Sequence, residues 1–268
     1  MSELVSVIMG IYNCADTLPE ALDSILHQSY QNWELILCDD GSSDHTAAVA
    51  QSYADQYPNQ IYLLKNEHNL GLNATLNRCL ATAKGSYIAR MDGDDRCAPD
   101  RFAKEVTFLD THPEIAIVST DMEFFDADGV WGQTHVSEKP DCINFVYSTP
   151  FCHAACMARR EAYLAVGGYT VDKKLLRVED YYLWTRMYEE GFRGVNIQEP
   201  LYSMRDDRNA QARRKFKYRI NEAYVKAYAI KHLHLPSCYY LYCAKPILIG
   251  LLPSQLYKYL HRRVQSGE

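Results

Sequence analysis

The segment Asp92-Gly93-Asp94-Asp95 has the composition of a metal site. It follows residues 86–91, an apolar run that is typical of a buried β-strand. Side chains at positions i and i+2 of an extended segment point the same way, so Asp92 and Asp94 can reach one ligand. Crowded carboxylates repel one another unless a cation offsets their charge, and Mg²⁺ prefers oxygen ligands and substrate phosphates. The pattern predicts a metal-diphosphate site, with a solvated acidic turn as the alternative.

A second acidic cluster, residues 39–44, stands at the end of another apolar run, residues 34–38. A carboxylate at a strand end can accept a hydrogen bond from a base imide or a ribose hydroxyl, and Asp40 is the candidate for this contact. Asp44 is interpreted as a helix cap, because Asp side chains accept from the first N–H groups of a helix. No G-x-G-x-x-G or G-x-x-x-x-G-K-[ST] loop follows the first strand, so hydride transfer and P-loop phosphotransfer lose their main support.

The elements that must position these acids alternate along the chain. Strand-like runs cover residues 5–9, 34–38, 61–64 and 87–91, and helical faces cover residues 16–28, 44–57 and 72–83. Such alternation predicts an α/β fold with parallel strands, right-handed crossovers and helices on both faces of the sheet. Ligands of such sheets bind at the carboxyl ends of the strands, where both acidic clusters lie.

Composition and charge describe a globular chain with a basic end. The 268 residues are 47% hydrophobic, which is ample for a packed core. Residues 1–204 carry 15 Lys+Arg against 30 Asp+Glu, whereas residues 205–268 carry 13 against 4. The acidic body argues against nucleic-acid binding, and the basic end suits an anionic membrane face or a phosphate-bearing partner.

Nine cysteines are scattered through the chain without a C-x-x-C pair, and no secretory segment opens it. This usage predicts a reduced, cytoplasmic setting. Cys152, His153 and Cys156 lack a fourth ligand at a zinc-like spacing, so buried cysteines are the better interpretation.

Several motifs, in order, resemble those of the family-2 glycosyltransferases, which are inverting enzymes with a GT-A fold that use a nucleotide-diphospho-sugar. The resembling segments are residues 5–13, 39–42, 69–77, 92–95, 99–102, 167–169 and 179–184. One departure is Gly10, which stands where many members have Pro or Thr. The resemblance covers residues 4–205 and implies a GT-A domain over residues 1–204. Within it, residues 1–98 would bind the nucleotide sugar and residues 99–204 the acceptor, leaving residues 205–268 as a basic, Tyr-rich helical tail.

On the donor side, the resemblance carries roles onto matching positions. Asp94 would bind Mn²⁺ or Mg²⁺, Asp92 would join the metal shell or hold the ribose, and Asp40 would hold the nucleobase. The metal ion would neutralise the leaving diphosphate. The other residues expected to bind the nucleotide sugar are Ile11, Tyr12, Asn13, Asn69, Gly71, Asn73, Arg78 and Gly93. Arg78 and Lys84 could assist with phosphate charge, or could be solvated helix cations.

On the acceptor side, Asp180 is the expected general base. Single displacement at an anomeric carbon needs a carboxylate near the acceptor hydroxyl, on the face opposite the departing diphosphate. The alternative for both Glu179 and Asp180 is a favourable interaction with the N-terminus of a helix that runs to residue 190. His153, Glu179 and Trp184 are expected to bind the acceptor, with core positions as the alternative for His153 and Trp184.

The resemblance implies transfer of a hexose or N-acetylhexosamine, most commonly from a UDP-sugar, to a saccharide acceptor carried on a lipid diphosphate, in bacterial surface polysaccharide assembly. A sugar-nucleotide nucleotidyltransferase and a non-catalytic nucleotide-sugar binding module are the alternatives. Residues 211–214 resemble the front of the Q-x-x-R-W motif of processive synthases, but Lys215 replaces the Trp, which argues for one sugar per encounter. The surrounding residues 205–215 could form a lid or a solvated turn.

The end of the chain combines the apolar residues 239–242 and 246–253 with the cations Lys245, Lys258, Arg262 and Arg263. It has no apolar run of the roughly 18 residues that a spanning helix needs. Aromatic and cationic borders predict peripheral association with the inner face of the cytoplasmic membrane. Packing on the body of the protein, or a homodimer contact, would explain the same residues.

Overall fold

The computed structural model describes residues 2–206 and 215–251. The strands are β1 (Val5–Ile11), β2 (Trp33–Asp39), β3 (Ile61–Lys65), β4 (Tyr87–Arg90), β5 (Arg96–Cys97), β6 (Ile117–Asp126), β7 (Gly129–Gln133), β8 (Met157–Arg159) and β9 (Gly194–Arg205). The helices are α1 (Leu18–Leu26), α2 (Thr46–Gln56), α3 (Leu72–Thr82), α4 (Arg101–Thr111), α5 (Asn144–Tyr147), α6 (Arg160–Ala165), α7 (Glu179–Glu189), α8 (Phe216–His232) and α9 (Ala244–Gly250).

A single mixed sheet connects these strands in the order β3-β2-β1-β4-β8-β6-β9-β5, and β7 pairs with β6. The four strands of the N-terminal half, β3, β2, β1 and β4, are parallel. β8 is antiparallel to both β4 and β6, and β6 runs parallel to β9. The predicted α/β architecture, with a largely parallel nucleotide-binding half, is confirmed.

Both faces of the sheet are covered, which explains why its central strands are apolar runs. Every residue of β2 is buried, and β1 is buried at every position except Gly10. Val7 and Met9 pack on the face that α1 covers, whereas Ile8 points to the face covered by α3 and α7. Because β1 and β4 are adjacent parallel strands of this buried sheet, the loops that follow them meet at the same edge.

The loops after β1 and β4 meet closely at this edge. A Cβ atom added at Gly93 would lie 3.0 Å from both Cys14 Sγ and Ile11 Cγ2, so only glycine fits without displacing them. Thr17 Oγ1 donates to the Gly93 carbonyl at 3.1 Å. Thr17 is the residue before α1, yet its hydroxyl makes no capping bond and ties the two loops together instead.

Local contacts and turns decide where helix α2 and strand β8 begin. His45 occupies the position before α2, while Asp44 Oδ1 accepts from Thr46 N at 2.9 Å, so Asp44 caps the helix from one residue further back. Strand β8 begins at Met157, because the preceding residues His153–Ala155 form a 3₁₀ turn.

The segment after the sheet is helical in its described part. Strand β9 continues to Arg205, one residue past the expected domain boundary. The ammonium of Lys226 on α8 donates to the carbonyls of Val146 and Tyr147 at 2.8 and 3.0 Å, which anchors α8 on α5. A 3₁₀ stretch, Ser237–Cys243, then leads into α9. None of the described helices combines the length and hydropathy that a membrane span needs. Most of the lid segment, including residues 211–214, and Lys258, Arg262 and Arg263 lie outside the described residues.

Candidate functional site

A cavity of about 520 Å³ opens at the carboxyl ends of β1 and β4. Its wall contains eight of the residues that the sequence indicated for binding or catalysis. They are Ile11, Tyr12, Asn13, Asp92, Gly93, Asp94, His153 and Glu179. We call this space the donor cavity.

The three acids after β4 divide between two environments. Asp92 and Asp94 line the donor cavity, whereas Asp95 is buried behind it. Asp95 Oδ2 accepts from Tyr202 Oη at 2.9 Å, and its Oδ1 accepts from Arg205 N at 2.8 Å. Burial, together with the charges of Asp92 and Asp94, raises the pKa of Asp95 well above its usual value. Asp95 therefore holds the acidic loop against β9.

Arg90 lines the donor cavity, although it was not among the residues predicted to bind a ligand. Its side chain is 1% exposed and its Nη2 donates to Asp92 Oδ1 at 2.6 Å. The Nε and Nη1 atoms of Arg90 are buried without a hydrogen-bond partner. A buried guanidinium normally has every donor engaged, so these two unpaired N–H groups set Arg90 apart from an ordinary buried arginine. The signal in the sequence was a basic residue inside an apolar strand, two positions before the acidic motif.

The carboxylates in this cavity fit a hard cation that is shared with a phosphate ligand. Asp94 and Asp92 supply oxygen, and one Asp92 oxygen is already engaged by Arg90. Across residues 2–206 and 215–251, no group of three or more His, Cys, Asp or Glu side chains is arranged to hold a metal ion. A divalent cation here would take its remaining ligands from phosphate and water, as Mg²⁺ commonly does.

Asp40, the expected nucleobase contact, lies outside the donor cavity and is 4% exposed. Its Oδ1 accepts from Asn66 Nδ2 and Leu70 N, both at 2.7 Å, and its Oδ2 accepts from Gly71 N at 2.9 Å. These bonds fix the loop between β3 and α3, where Gly71 adopts a positive φ of 88°. A direct contact between Asp40 and a base would require this loop to release it.

Three other residues expected on the donor side also lie away from the cavity. Asn69 is exposed in the loop that Asp40 holds. Arg78 is exposed and donates from Nη1 to the Lys65 carbonyl at 2.9 Å. Asn73 Nδ2 donates to the Thr170 carbonyl at 2.7 Å, which ties α3 to the segment before α7. In this conformation the side chains of Arg78 and Asn73 support the structure around the cavity.

The two acids at the start of α7 face different spaces. Glu179 lines the donor cavity, whereas Asp180 lines a neighbouring cavity of about 330 Å³, which we call the base cavity. Arg177 lines both of them. Asp180 Oδ2 accepts from Thr149 Oγ1 at 3.5 Å. Burial and the charge of Glu179 raise the pKa of Asp180 to about 7, and burial also raises the pKa of Glu179. A carboxylate with a pKa near neutrality is suited to general-base chemistry.

His153 and Trp184 differ in their access to these spaces. His153 reaches the donor cavity, and its Nε2 lies 2.8 Å from Tyr169 Oη. Burial lowers the pKa of His153 well below its usual value, so its imidazole is neutral at physiological pH. Trp184 is fully buried against Phe151 and His153 and lines neither cavity. The expected acceptor contact of Trp184 is therefore corrected to a core position.

Solved structures with the same architecture include two nucleotide-sugar complexes. The mannosyltransferase PcManGT from Pyrobaculum calidifontis, in complex with GDP-Man and Mn²⁺, aligns with a TM-score of 0.68 and 22% identity, covering 98% of this chain and 72% of that one. S. aureus TarS 1-349 in complex with UDP-GlcNAc aligns with a TM-score of 0.68 and 17% identity, covering 97% of this chain and 72% of that one. These likenesses confirm the GT-A fold.

Relatives with higher identity match nearly the whole chain. "Putative glycosyltransferase EpsE" of Bacillus subtilis (strain 168) is 46% identical over 259 residues, covering 97% of this chain and 93% of the relative. The Escherichia coli protein WfaP, named as a UDP-Glc:alpha-D-GlcNAc-diphosphoundecaprenol beta-1,3-glucosyltransferase, is 31% identical over 252 residues, covering 92% and 95%. The model of Glycosyl transferase family 2 matches residues 6–167. The chain belongs to glycosyl transferase family 2.

Proposed function

We propose that this glycosyltransferase moves a hexose or N-acetylhexosamine, with inversion, from a UDP-sugar to a saccharide carried on a lipid diphosphate. The observation that carries the proposal is the meeting of two cavities at Arg177. One contains the acidic pair Asp92 and Asp94, and the other contains Asp180, whose pKa lies near 7. The name of WfaP describes transfer from UDP-Glc to a lipid diphosphate sugar, which supports the same substrate classes here.

In the donor cavity, Asp94 and Asp92 would hold Mn²⁺ or Mg²⁺. The ion would supply electrostatic stabilisation of the leaving diphosphate. Arg90 orients Asp92, and Arg205 Nε donates to the Asp94 carbonyl at 3.0 Å, so the acidic loop is held before the donor arrives. Tyr12 is 50% exposed at the cavity wall, where its ring can stack on a base.

In the base cavity, Asp180 would take the proton of the acceptor hydroxyl as its oxygen forms the bond to the anomeric carbon. The bond to the diphosphate breaks on the opposite face of the sugar, and its electron pair leaves with the nucleotide. An α-linked donor then gives a β-linked product. Glu179, which faces the donor cavity, is the second acid to test for this role.

The test compares donor hydrolysis and transfer across UDP-, GDP- and dTDP-sugars, with Mn²⁺, Mg²⁺ or chelator. Asp94→Ala is expected to lose metal-dependent donor binding. Asp180→Asn is expected to bind the donor as the wild type does while transfer falls by about two to four orders of magnitude, the usual contribution of a general base. Full transfer by Asp180→Asn, with Glu179→Gln inactive, would move the base assignment to Glu179. Donor binding without any transfer or hydrolysis by the wild type would favour a non-catalytic binding module.

We also propose that the enzyme works as a peripheral protein on the inner face of the cytoplasmic membrane. Phe216, Ile220 and Tyr224 form an exposed stripe along α8 at a spacing of four residues. Leu241, Leu248 and Leu251, which follow it in the chain, are 80%, 63% and 68% exposed. Exposed apolar side chains near Lys217 and Lys245 suit the interface of an anionic membrane.

A further inference from the structure

The base cavity carries more positive charge than a general base requires. Arg177, Lys215 and Arg219 line it together with Asp180 and Glu222. Arg219 Nη1 pairs with Glu222 Oε2 at 2.9 Å, and both side chains remain partly exposed. A general base needs only its acceptor hydroxyl, so this concentration of cations points to an anionic ligand.

Arg177 differs from the other two cations in its backbone conformation and in its place between the two cavities. Arg177 has a φ of +70°, in a region that residues other than glycine rarely adopt. Such strain is commonly maintained at functional positions. Arg177 lies directly before Val178 and α7, and its side chain reaches both cavities. The donor diphosphate already has Arg90 and the acidic loop on its own side, so the cations beyond Arg177 face a second anion.

We propose that the base cavity binds the diphosphate group of the acceptor, with Lys215, Arg219 and Arg177 as its ligands. This inference rests on the proposed function. Guanidinium and ammonium groups form short, charge-assisted hydrogen bonds with phosphate oxygens. In a sugar diphosphate, one sugar ring separates the phosphate from the attacking hydroxyl. A single cavity that holds both the cations and Asp180 matches that short separation.

The geometry also gives the lipid of the acceptor a path. Arg219 lies on the first turns of α8, one residue before Ile220 of the exposed apolar stripe. A chain attached to a phosphate at Arg219 can therefore leave the cavity along Ile220 and Tyr224. The diphosphate would contact the basic side of α8, and the lipid chain would contact its apolar side.

The test uses two water-soluble short-chain acceptors with the same sugar, one an alkyl diphosphate ester and the other a neutral alkyl glycoside. For Lys215→Ala and Arg219→Gln, the KM of the diphosphate acceptor should rise by about ten-fold, the scale of a hydrogen bond to a charged group. The donor KM and the kinetics with the neutral glycoside should stay within two-fold of wild type. Lys217→Ala is the matched control, because it removes the same charge from α8 but does not line the cavity.

A second measurement needs no turnover. A sugar-free alkyl diphosphate, titrated into the wild type in chelator, should bind about ten-fold more tightly than it binds to Lys215→Ala. Equal binding by the two proteins, or equal losses with both acceptors, would overturn the proposal. A loss with Lys217→Ala as large as with Lys215→Ala would assign the effect to general surface charge. Failure of the wild type to hydrolyse or transfer any donor would instead count against the proposed function, and the titration would still decide the phosphate site.

Discussion

At the scale of single residues, the pair formed by Arg90 and Asp92 links stability to donor binding. Replacing Arg90 with Met leaves Asp92 beside Asp94 and Asp95 without its buried partner. Breaking a buried pair costs about 3–5 kcal/mol. Because Asp92 is 32% exposed, we expect a loss in unfolding free energy of about 2 kcal/mol, and a larger KM for the donor. Denaturant titration and donor kinetics measure the two effects.

Two further variants help to explain the effect of Arg90→Met. Arg90→Lys keeps the charge but loses the planar fork, so it should recover stability more than donor affinity. Arg96→Met is the surface control, because Arg96 and Glu20 form an ion pair in which both side chains are more than one-third exposed. Exposed pairs contribute about 0–1 kcal/mol. Donor kinetics of Arg90→Met equal to wild type would rule out a role for its unpartnered N–H groups.

The pKa of Asp180 predicts a pH dependence for activity and for stability. As the proposed general base, Asp180 would act when deprotonated, so kcat should rise with pH through about 7 and then level off. In the folded protein the pKa lies above its usual value of 3.8, so folding retains the proton and Asp180 lowers stability increasingly as pH rises from 4 to 7. Asp180→Asn should therefore gain stability over wild type at pH 8 and gain little at pH 4. Urea titrations at the two pH values check this, and an equal gain at both would contradict it.

Site residues could be placed from the sequence only where their interaction partners lie close by in the chain. The acidic motif was visible because Asp92 and Asp94 are two positions apart and directly follow an apolar strand. The positions of Asn73 and Asp40 were not, because the Asn73 hydrogen bond reaches a residue 97 positions away and those of Asp40 reach residues 26 to 31 positions away. Arg90 was overlooked because a basic residue in an apolar strand has no local partner pattern.

At the scale of elements, α3 is joined to the segment before α7 through Asn77. Asn77 Nδ2 donates to the Tyr169 carbonyl at 2.7 Å, and its Oδ1 accepts from Tyr169 N at 2.8 Å. A Cβ atom at Gly168 would lie 2.6 Å from that Oδ1. The same segment leads to Arg177 and Asp180, so this connection would position the proposed base.

Gly168→Ala tests the connection, with Gly167→Ala as its matched control. Both glycines have positive φ, 68° and 73°, and an alanine there costs about 1–2 kcal/mol. Only Gly168 has the additional contact with Asn77, since nothing lies within 4 Å of a Cβ at Gly167. Gly168→Ala should lower the Tm further than Gly167→Ala and reduce kcat as well. Equal effects on both quantities would show that the connection does not position the base.

The elements of the N-terminal half were predictable because each strand and helix shows its own periodicity. The C-terminal half was less predictable, because β6 pairs with the sequence-distant β9 and because β5 and β8 have only two and three residues. β5 contains only Arg96 and Cys97 and pairs with Ser203 and Tyr202. A two-residue strand is too short to show an alternation of apolar and polar residues. Its pairing with β9 forms only when the two distant segments meet in the folded chain.

At the scale of the whole molecule, the proposed membrane attachment predicts that exposed leucines of the C-terminal region differ in function from equally exposed leucines elsewhere. Leu248→Asp should reduce flotation with vesicles that contain anionic lipids, because a charge opposes insertion of that surface. Leu164→Asp is the control, because Leu164 and Leu248 are both 63% exposed but Leu164 lies on α6. Retention of flotation by Leu248→Asp, with loss of a dimer in sedimentation, would assign the surface to a homodimer.

The wall shared by the two cavities has a thermodynamic consequence. Arg177 borders both spaces, and in the proposed function each space would hold a phosphate-bearing substrate. A guanidinium drawn toward the anion in one space would change the free energy of filling the other, and linkage makes the two changes equal. Whatever factor the sugar nucleotide imposes on acceptor affinity, the acceptor must impose on the sugar nucleotide. In the proposed function, one side chain would thus couple the loading of both substrates.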